Sequence, residues 1–327
     1  MNYKVSSGIT SDGIVLSRYD AMTVFEGGTA NDTSLSSGGK MTVSSGGTAN
    51  STTIYTSGYL HVSSGGTANY TIASGYLDAN GTGFFVTGTI VVSSGGTANY
   101  TTADWGGLLE VCAGGSVNST TLNPGGGLLV SSGGTASSTT INSEGGLEVS
   151  SGGTAKRTNV NSGGYLYVSS GGTANNIVEN GGGVYIEEGA NTTFASNSFS
   201  GLVLSIHYAT IHSGTTATKT TLDDGAGMDI FSGGTANSTT VKYGDMNVFY
   251  GGTANSITVN SKGNLVVYSS GTATGIVWTP CEGHVSVLDG GYASFVSEYS
   301  GVYFGAEHKL VSNAAVMDDM TDRKSVV

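Results

Sequence analysis

Proline is almost missing from this chain, at 2 of 327 residues, and charge is sparse, with 11 Lys and Arg against 23 Asp and Glu. Glycine alone is plentiful, at 55 residues. So little proline, and no Gly at every third position, excludes a collagen-like helix. A hydrophobic content of 37% excludes a disordered linker, because that much Val, Leu and Ile is not left in water. The net charge of -12 is spread thinly and leaves no basic stripe to displace counterions from phosphates, which excludes nucleic acid as a partner. The two cysteines, Cys112 and Cys281, are too few and too far apart for a disulfide framework or a metal knuckle. No apolar run reaches the roughly 18 residues of a membrane helix. Met1-Asn2-Tyr3-Lys4 leads straight into patterned sequence, without the apolar region of an export signal. The length would suit two ordinary domains, but this composition points to a repetitive folded chain.

The repeat is explicit. Val-Ser-Ser-Gly-Gly-Thr-Ala recurs with its Thr at Thr29, Thr48, Thr67, Thr97, Thr135, Thr154, Thr173, Thr216, Thr235, Thr253 and Thr272, most steps being 19 residues, and Ser116 fills one place. The 30-residue step from Thr67 to Thr97 reads as two short units of 15 meeting at Asn80-Gly81-Thr82. The 43 residues from Thr173 to Thr216 read as 18 and 25, split at Glu187-Glu188-Gly189-Ala190-Asn191, with an outward loop at Ser196-Asn197-Ser198-Phe199-Ser200. Before each glycine pair the chain alternates, as in Leu60-His61-Val62, Leu147-Glu148-Val149 and Met246-Asn247-Val248. Aliphatic outer residues around a variable middle one mark a strand with one buried face. A second, weaker strand follows in Thr52-Thr53-Ile54 and Thr139-Thr140-Ile141, and the intervening Ser-Ser-Gly-Gly supplies a turn, at Gly46-Gly47, Gly65-Gly66, Gly133-Gly134, Gly152-Gly153 and Gly171-Gly172.

A unit of 19 residues cannot bury its own apolar side, so the units are expected to stack, each pairing its strands with the coils above and below. The fold class is all-β: a single-stranded β-solenoid, or parallel β-helix, of about 16 coils over residues 1–310, irregular near 68–97 and 192–216, with a non-repeat tail at 311–327. Such a stack would be on the order of 75 Å long.

Repeats of the form Val-Ser-Ser-Gly-Gly-Thr-Ala-Asn-Ser-Thr-Thr-Val, over roughly residues 5 to 292, resemble those of AIDA-type autotransporter passengers. That resemblance implies a non-catalytic surface stalk of a Gram-negative adhesin, acting in adhesion, aggregation or biofilm, with host or bacterial surface receptors or its own copies as partners. It implies no cofactor. It also implies a heptosyltransferase that modifies loop hydroxyls, carried here by Ser44, Ser45 and Thr48; Ser63, Ser64 and Thr67; Ser93, Ser94 and Thr97; Ser131, Ser132 and Thr135; Ser150, Ser151 and Thr154; and Ser169, Ser170 and Thr173. The units at Glu187-Glu188 and Val111-Cys112-Ala113 depart from the pattern and lack part of that loop. The family's signal peptide and C-terminal outer-membrane translocator barrel are not seen in this chain. The last residues, Asp322-Arg323-Lys324-Ser325-Val326-Val327, resemble the translation of a sequencing adapter, so the reading frame is expected to be cut there.

Other motifs reduce to the repeat. Gly-Gly-Thr-Ala is not followed by the Lys of a phosphate-binding loop, and no helix is available to receive an anion. Gly27-Gly28-Thr29-Ala30-Asn31-Asp32 has Ala where calcium-binding nonapeptides have Gly. Asn-x-Thr at Asn50, Asn69, Asn99, Asn118 and Asn237 matches the N-glycosylation sequon, but an Asn in every coil is expected to form an axial hydrogen-bonded ladder. His207 and His212 are expected to be a solvent-facing pair. Asp223-Asp224 and Asp318-Asp319 are adjacent, which on a strand directs the carboxylates to opposite faces. The outward column Thr42, His61, Glu110, Glu148, Tyr167, Tyr185, Asp229 and Asn247 lacks the clustered acids of polysaccharide-cleaving β-helices and the flat Thr array of an ice-binding face. The alternative to an adhesin stalk is a purely structural spacer or matrix solenoid.

Overall fold

The computed structural model describes residues 1–44, 46–63, 65–77, 85–278, 283–296, 302–304, 309–311 and 316–318, with backbone alone at 76–77, 85–86 and after 296. Among these there is no helix, and hence none long and apolar enough to cross a membrane. Parallel strands stack as a β-solenoid of about 15 turns. The chain divides into two compact units, residues 1–177 with 184–193, and residues 178–183 with 194–327.

In the first unit, alternating segments such as Tyr59–Val62 lie in register between Lys40–Val43 and the next coil, so that Leu60 stands over Met41 and Val62 over Val43. A turn then leads to a second stack, Thr29–Asn31, Thr48–Asn50, Thr67–Asn69 and Thr97–Asn99. A corner residue of positive φ follows, Ser51 at 55°, Tyr100 at 54° and Ser138 at 58° among them, and then a third short strand such as Thr53–Ile54. In four later coils the second and third strands merge, into Ser116–Leu122, Thr135–Ile141, Thr154–Asn161 and Thr173–Asn180. Each coil turns in a thin core: Leu60, Val62, Ala68, Thr71 and Ala73 are all buried. Each such aliphatic contributes about 1.5–3 kcal/mol.

The 30-residue step is one coil, not two of 15. Tyr59–Val62 pairs directly with Thr89 to Val92, and Thr67–Asn69 with Thr97–Asn99. The surplus leaves as an antiparallel hairpin, with Tyr76 opposite Val86 and Leu77 opposite Phe85, because a 15-residue turn of chain would be too short to supply all three stacked strands. The proposed junction at Asn80-Gly81-Thr82 lies outside the described residues.

The second unit repeats the plan. Its stacks are Tyr208–Ile211, Gly227–Ile230, Asp245–Val248, Asn264–Val267 and His284–Val287; Asn197–Ser200 through Thr272–Trp278; and Val203–Ser205 through Thr258–Asn260. Asn197–Ser200 is therefore not an outward loop: it pairs with Thr215–Thr218, and Phe199 packs against the core while Ser198 and Ser200 face out. Trp278 closes this core and donates its indole N–H to the Gly283 carbonyl at 2.9 Å. Beyond it, Tyr292–Phe295 pairs antiparallel with Val316–Asp318, and Val302–Phe304 with Lys309–Val311. Residues 312–315 and 319–327 of the non-repeat tail are outside the described residues.

The corner Thr is buried in most coils. Thr52, Thr71, Thr101, Thr120, Thr139 and Thr158 have hydroxyls without a hydrogen-bond partner, as do Thr220 and Thr239 in the second unit. Ile177, Ile257 and Ile276 occupy the same register position in other coils. What the site selects is β-branched volume, and the bare hydroxyl is a cost of about 1–3 kcal/mol by mutational measure. Thr120→Val is therefore expected to raise the thermal midpoint, with a gain of about 1 kcal/mol. A lower midpoint in a calorimetric or circular-dichroism melt would show that the hydroxyl is used.

Candidate functional site

The turn of the Ser-Ser-Gly-Gly corner is closed by backbone bonds. The first Ser donates its N–H to the Val carbonyl of the preceding coil, as Ser44 to Val24 at 3.0 Å, Ser63 to Val43 at 2.9 Å and Ser150 to Val130 at 3.0 Å. The second Gly closes the turn on that Ser, as Gly66 to Ser63 at 2.8 Å and Gly134 to Ser131 at 2.9 Å. The first Gly links loop to loop, Gly133 to Gly152 and Gly152 to Gly171, both at 2.9 Å. The two glycines serve different ends. Gly152 has a φ of 73°, and a Cβ on it would lie 2.6 Å from the Ser132 hydroxyl; a Cβ on Gly153 would lie 2.4 Å from the Val130 carbonyl.

This leaves the second serine of each loop free to project. Ser94, Ser132, Ser151 and Ser170 are exposed at the same corner, with Ala113 in the coil between Ser94 and Ser132. The first serines, Ser44, Ser63, Ser93, Ser131, Ser150 and Ser169, are half-buried, as are Thr48, Thr67, Thr97, Thr135, Thr154 and Thr173. Ser45 and Ser64 lie outside the described residues. Where Glu187 replaces a first serine, its carboxylate accepts from the Tyr167 hydroxyl and from the Ser170 N–H at 2.8 Å; those bonds, the tyrosine's first, hold its carboxyl below the usual range.

The sequon asparagines form the expected ladder. Asn50 donates to Asn31, Asn69 to Asn50, Asn99 to Asn69 and Asn118 to Asn99, all at 3.0 Å, and Asn255 donates to Asn237 at 3.0 Å in the second unit. A further ladder, Asn161 to Asn142 to Asn123 to Asp104, runs along the first unit at 3.0, 2.9 and 2.7 Å.

In the second unit, aromatic rings take the first-serine position. Phe194, His212, Phe231, Phe249 and Tyr268 stack with centroids 4.4, 4.6, 5.0 and 4.6 Å apart. Ser213, Ser232 and Ser269 stay exposed beside them. His212 is thus not part of a solvent-facing pair: its side chain is 13% exposed, and its Nδ1 lies 2.7 Å from Oε1 of Glu179, which is fully buried. Glu179 also accepts from the Thr210 hydroxyl at 2.7 Å and the His212 N–H at 2.8 Å. His207 instead contacts the Ser205 carbonyl at 2.7 Å. The sequence signal for this group was an acid at an inward aliphatic position and rings recurring every 18 or 19 residues.

Asp223 and Asp224 do not alternate along a strand, because the backbone turns at Asp224, with a φ of 52°. Asp223 pairs with Lys242 at 3.2 Å. Among the described residues no three His, Cys, Asp or Glu side chains are grouped to hold a metal ion. The half-buried Cys112 donates to Glu110 at 3.5 Å, and burial with that neighbouring carboxylate pushes its thiol above the ordinary range; Cys281 is outside the described residues. Removing the buried Glu179 carboxyl would leave the Thr210 hydroxyl, the His212 backbone N–H and the His212 ring nitrogen without the acceptor they share, at about 1–3 kcal/mol for each buried group left unpaired and about 3 kcal/mol or more together. Glu179→Ala is expected to lose that much stability in chemical denaturation. A loss below about 1 kcal/mol would mean that water replaces the carboxylate freely.

The family model described as the adhesin of the bacterial autotransporter system, probable stalk, matches residues 2–58, 87–145 and 115–164. Among solved structures, a TibA fragment hyper-glycosylated by TibC shares 35% identity at a TM-score of 0.55, covering 88% of this chain and 99% of that one. The receptor-binding tailspike of bacteriophage Det7 is 11% identical at a TM-score of 0.28, over 94% of this chain and 75% of that one, too distant to carry an argument. No curated protein sequence matches significantly.

Proposed function

This chain belongs to the AIDA family of bacterial autotransporter adhesin stalks, and on that premise we propose that it is a surface stalk whose loop hydroxyls accept heptose and whose repeated contacts serve adhesion, aggregation or biofilm. Family membership itself implies a non-enzymatic structural role and a surface or extracellular location. The observation that carries the modification is the column of exposed serines at one corner of the coils, interrupted by Ala113 between Ser94 and Ser132, seen beside a 35% identical fragment that is hyper-glycosylated by TibC. A transferase that recognises one loop meets the same backbone in the next. Adhesion follows from repetition, because many weak contacts displayed on one rigid framework combine into strong attachment. The partner enzyme is a heptosyltransferase, and a translocator barrel would hold the stalk at the outer membrane.

Co-expression with a heptosyltransferase of this type is expected to add heptose increments to the intact mass. Replacing Ser94, Ser132, Ser151 and Ser170 together by Ala should remove the increments those positions carry. An unchanged mass in the parent chain refutes the modification. Surface display on otherwise non-adherent cells is expected to cause clumping or attachment, and its failure would favour the spacer role.

A further inference from the structure

The second corner of the coil, between the Thr-Ala-Asn strand and the next, behaves differently from the serine loop. Its positive-φ residues in the first unit are Asp32, Ser51, Tyr70, Tyr100, Ser119, Ser138, Arg157 and Asn176. The Tyr70 and Tyr100 rings stack at 5.0 Å and 8°, and are 60% and 55% exposed. The next two coils carry Ser119 and Ser138 at that corner, so the other face of Tyr100 has no ring against it. The result is a groove of about 570 Å³ whose lining, besides Tyr70 and Thr120, includes Tyr100, Thr102, Ser119, Thr121, Ser138 and Thr140. Thr102, Thr121 and Thr140 are in register with one another and give the floor a regular row of hydroxyls. Past Ser138 stands the exposed Arg157, whose Nε donates to the Ser138 hydroxyl at 3.2 Å, with Lys156 exposed next to it. Three coil steps separate Tyr100 from Arg157, roughly 14 Å along the stack.

We infer that this groove binds a short acidic oligosaccharide. The C–H face of a pyranose stacks on an open tyrosine ring, as apolar groups do on aromatic faces. Its hydroxyls meet a floor of Ser and Thr groups that both donate and accept. A carboxylate on a sugar two or three residues along reaches Arg157, whose planar fork matches it in two parallel hydrogen bonds. The neighbourhood selects against other occupants. A peptide strand would require an unpaired sheet edge, whereas these strands are paired on both sides. A nucleic acid would require more cations than this chain, at a net charge of -12, places here. The groove is at a different corner from the serine column, so this assignment does not rest on heptose transfer.

The test uses the full chain, made without any glycosyltransferase, against immobilised oligogalacturonates, hyaluronan fragments and sialyllactose, with cellotriose, lactose and oligothymidylate alongside. Saturable binding of at least one carboxylate-bearing glycan is expected, with neutral sugars about tenfold weaker. Tyr100→Ala should weaken binding at least about tenfold. Arg157→Gln should bring the acidic glycan to the affinity of its neutral counterpart. Ser119→Tyr, which extends the ring stack and fills the groove, should abolish binding while the melting profile stays that of a folded chain, since Tyr70 and Tyr100 already occupy this backbone position. Absence of binding to every acidic glycan, indifference to Ser119→Tyr in a folded variant, or tighter binding of oligothymidylate would each overturn the assignment.

Discussion

In-register stacking sets each side chain over the one 18 or 19 residues away, and every column must therefore tolerate its own copies at about 4.8 Å. Aliphatic columns do so by packing, as Val43 under Val62. Asn columns do so because an amide donates at one end and accepts at the other, so that each bond leaves the next one available. Rings stack, as Phe231 on Phe249. Charge has no such solution, because like charges directly opposite are destabilising. This accounts for the shortage of charged residues and for where the carboxylates stand. Asp12 and Asp104 each accept from the first Asn of a ladder and are not repeated in it, and Asp245 accepts from Asn264. Asp229, pushed above the ordinary carboxyl range by burial, despite the Asn247 amide, also feels Asp245 in the next coil.

The same constraint divides the coil surface into uniform and variable parts. The serine loop needs its two glycines for φ and for close backbone approach, so its shape is fixed and only the projecting hydroxyl is presented. The second corner has no such crowding. It takes Ser, Tyr, Arg or Asn at almost the same φ, with Asn176 at 64° and Arg157 at 55°. A column free to vary coil by coil is where a particular binding surface is written onto a repetitive framework, much as surface loops carry function on rigid scaffolds.

The period, the inward columns at residues such as Leu60 and Val62, and the Asn ladder were all legible in the sequence, because each is a repeated one-residue signal. What was misread lay where the repeat breaks. Counting residues between Thr67 and Thr97 cannot distinguish two short coils from one coil with an insertion; strand pairing decides it, since Leu60 stacks on Ile90. Ser196 to Ser200 looked like a loop because its polar residues mask the one inward ring, Phe199. Glu179 and His212 are 33 residues apart and come together only through the fold. The groove beside Tyr100 is a property of three successive coils, of which the sequence shows the residues but not the open ring face.

Whether the serine column can be modified without cost to the fold depends on what its hydroxyls already do. The loop bonds run between backbone groups, from Ser150 N–H to Val130 and from Gly153 N–H to Ser150, and no side-chain oxygen closes the turn. A group added to an exposed Ser151 hydroxyl therefore breaks none of these bonds. The Thr120 hydroxyl is the opposite case: it too has no partner, but it is buried, and any addition there would have to displace packed neighbours. The repeat thus separates two sets of hydroxyls with the same chemistry, one closed to modification by packing and one open to it because the backbone alone carries the turn.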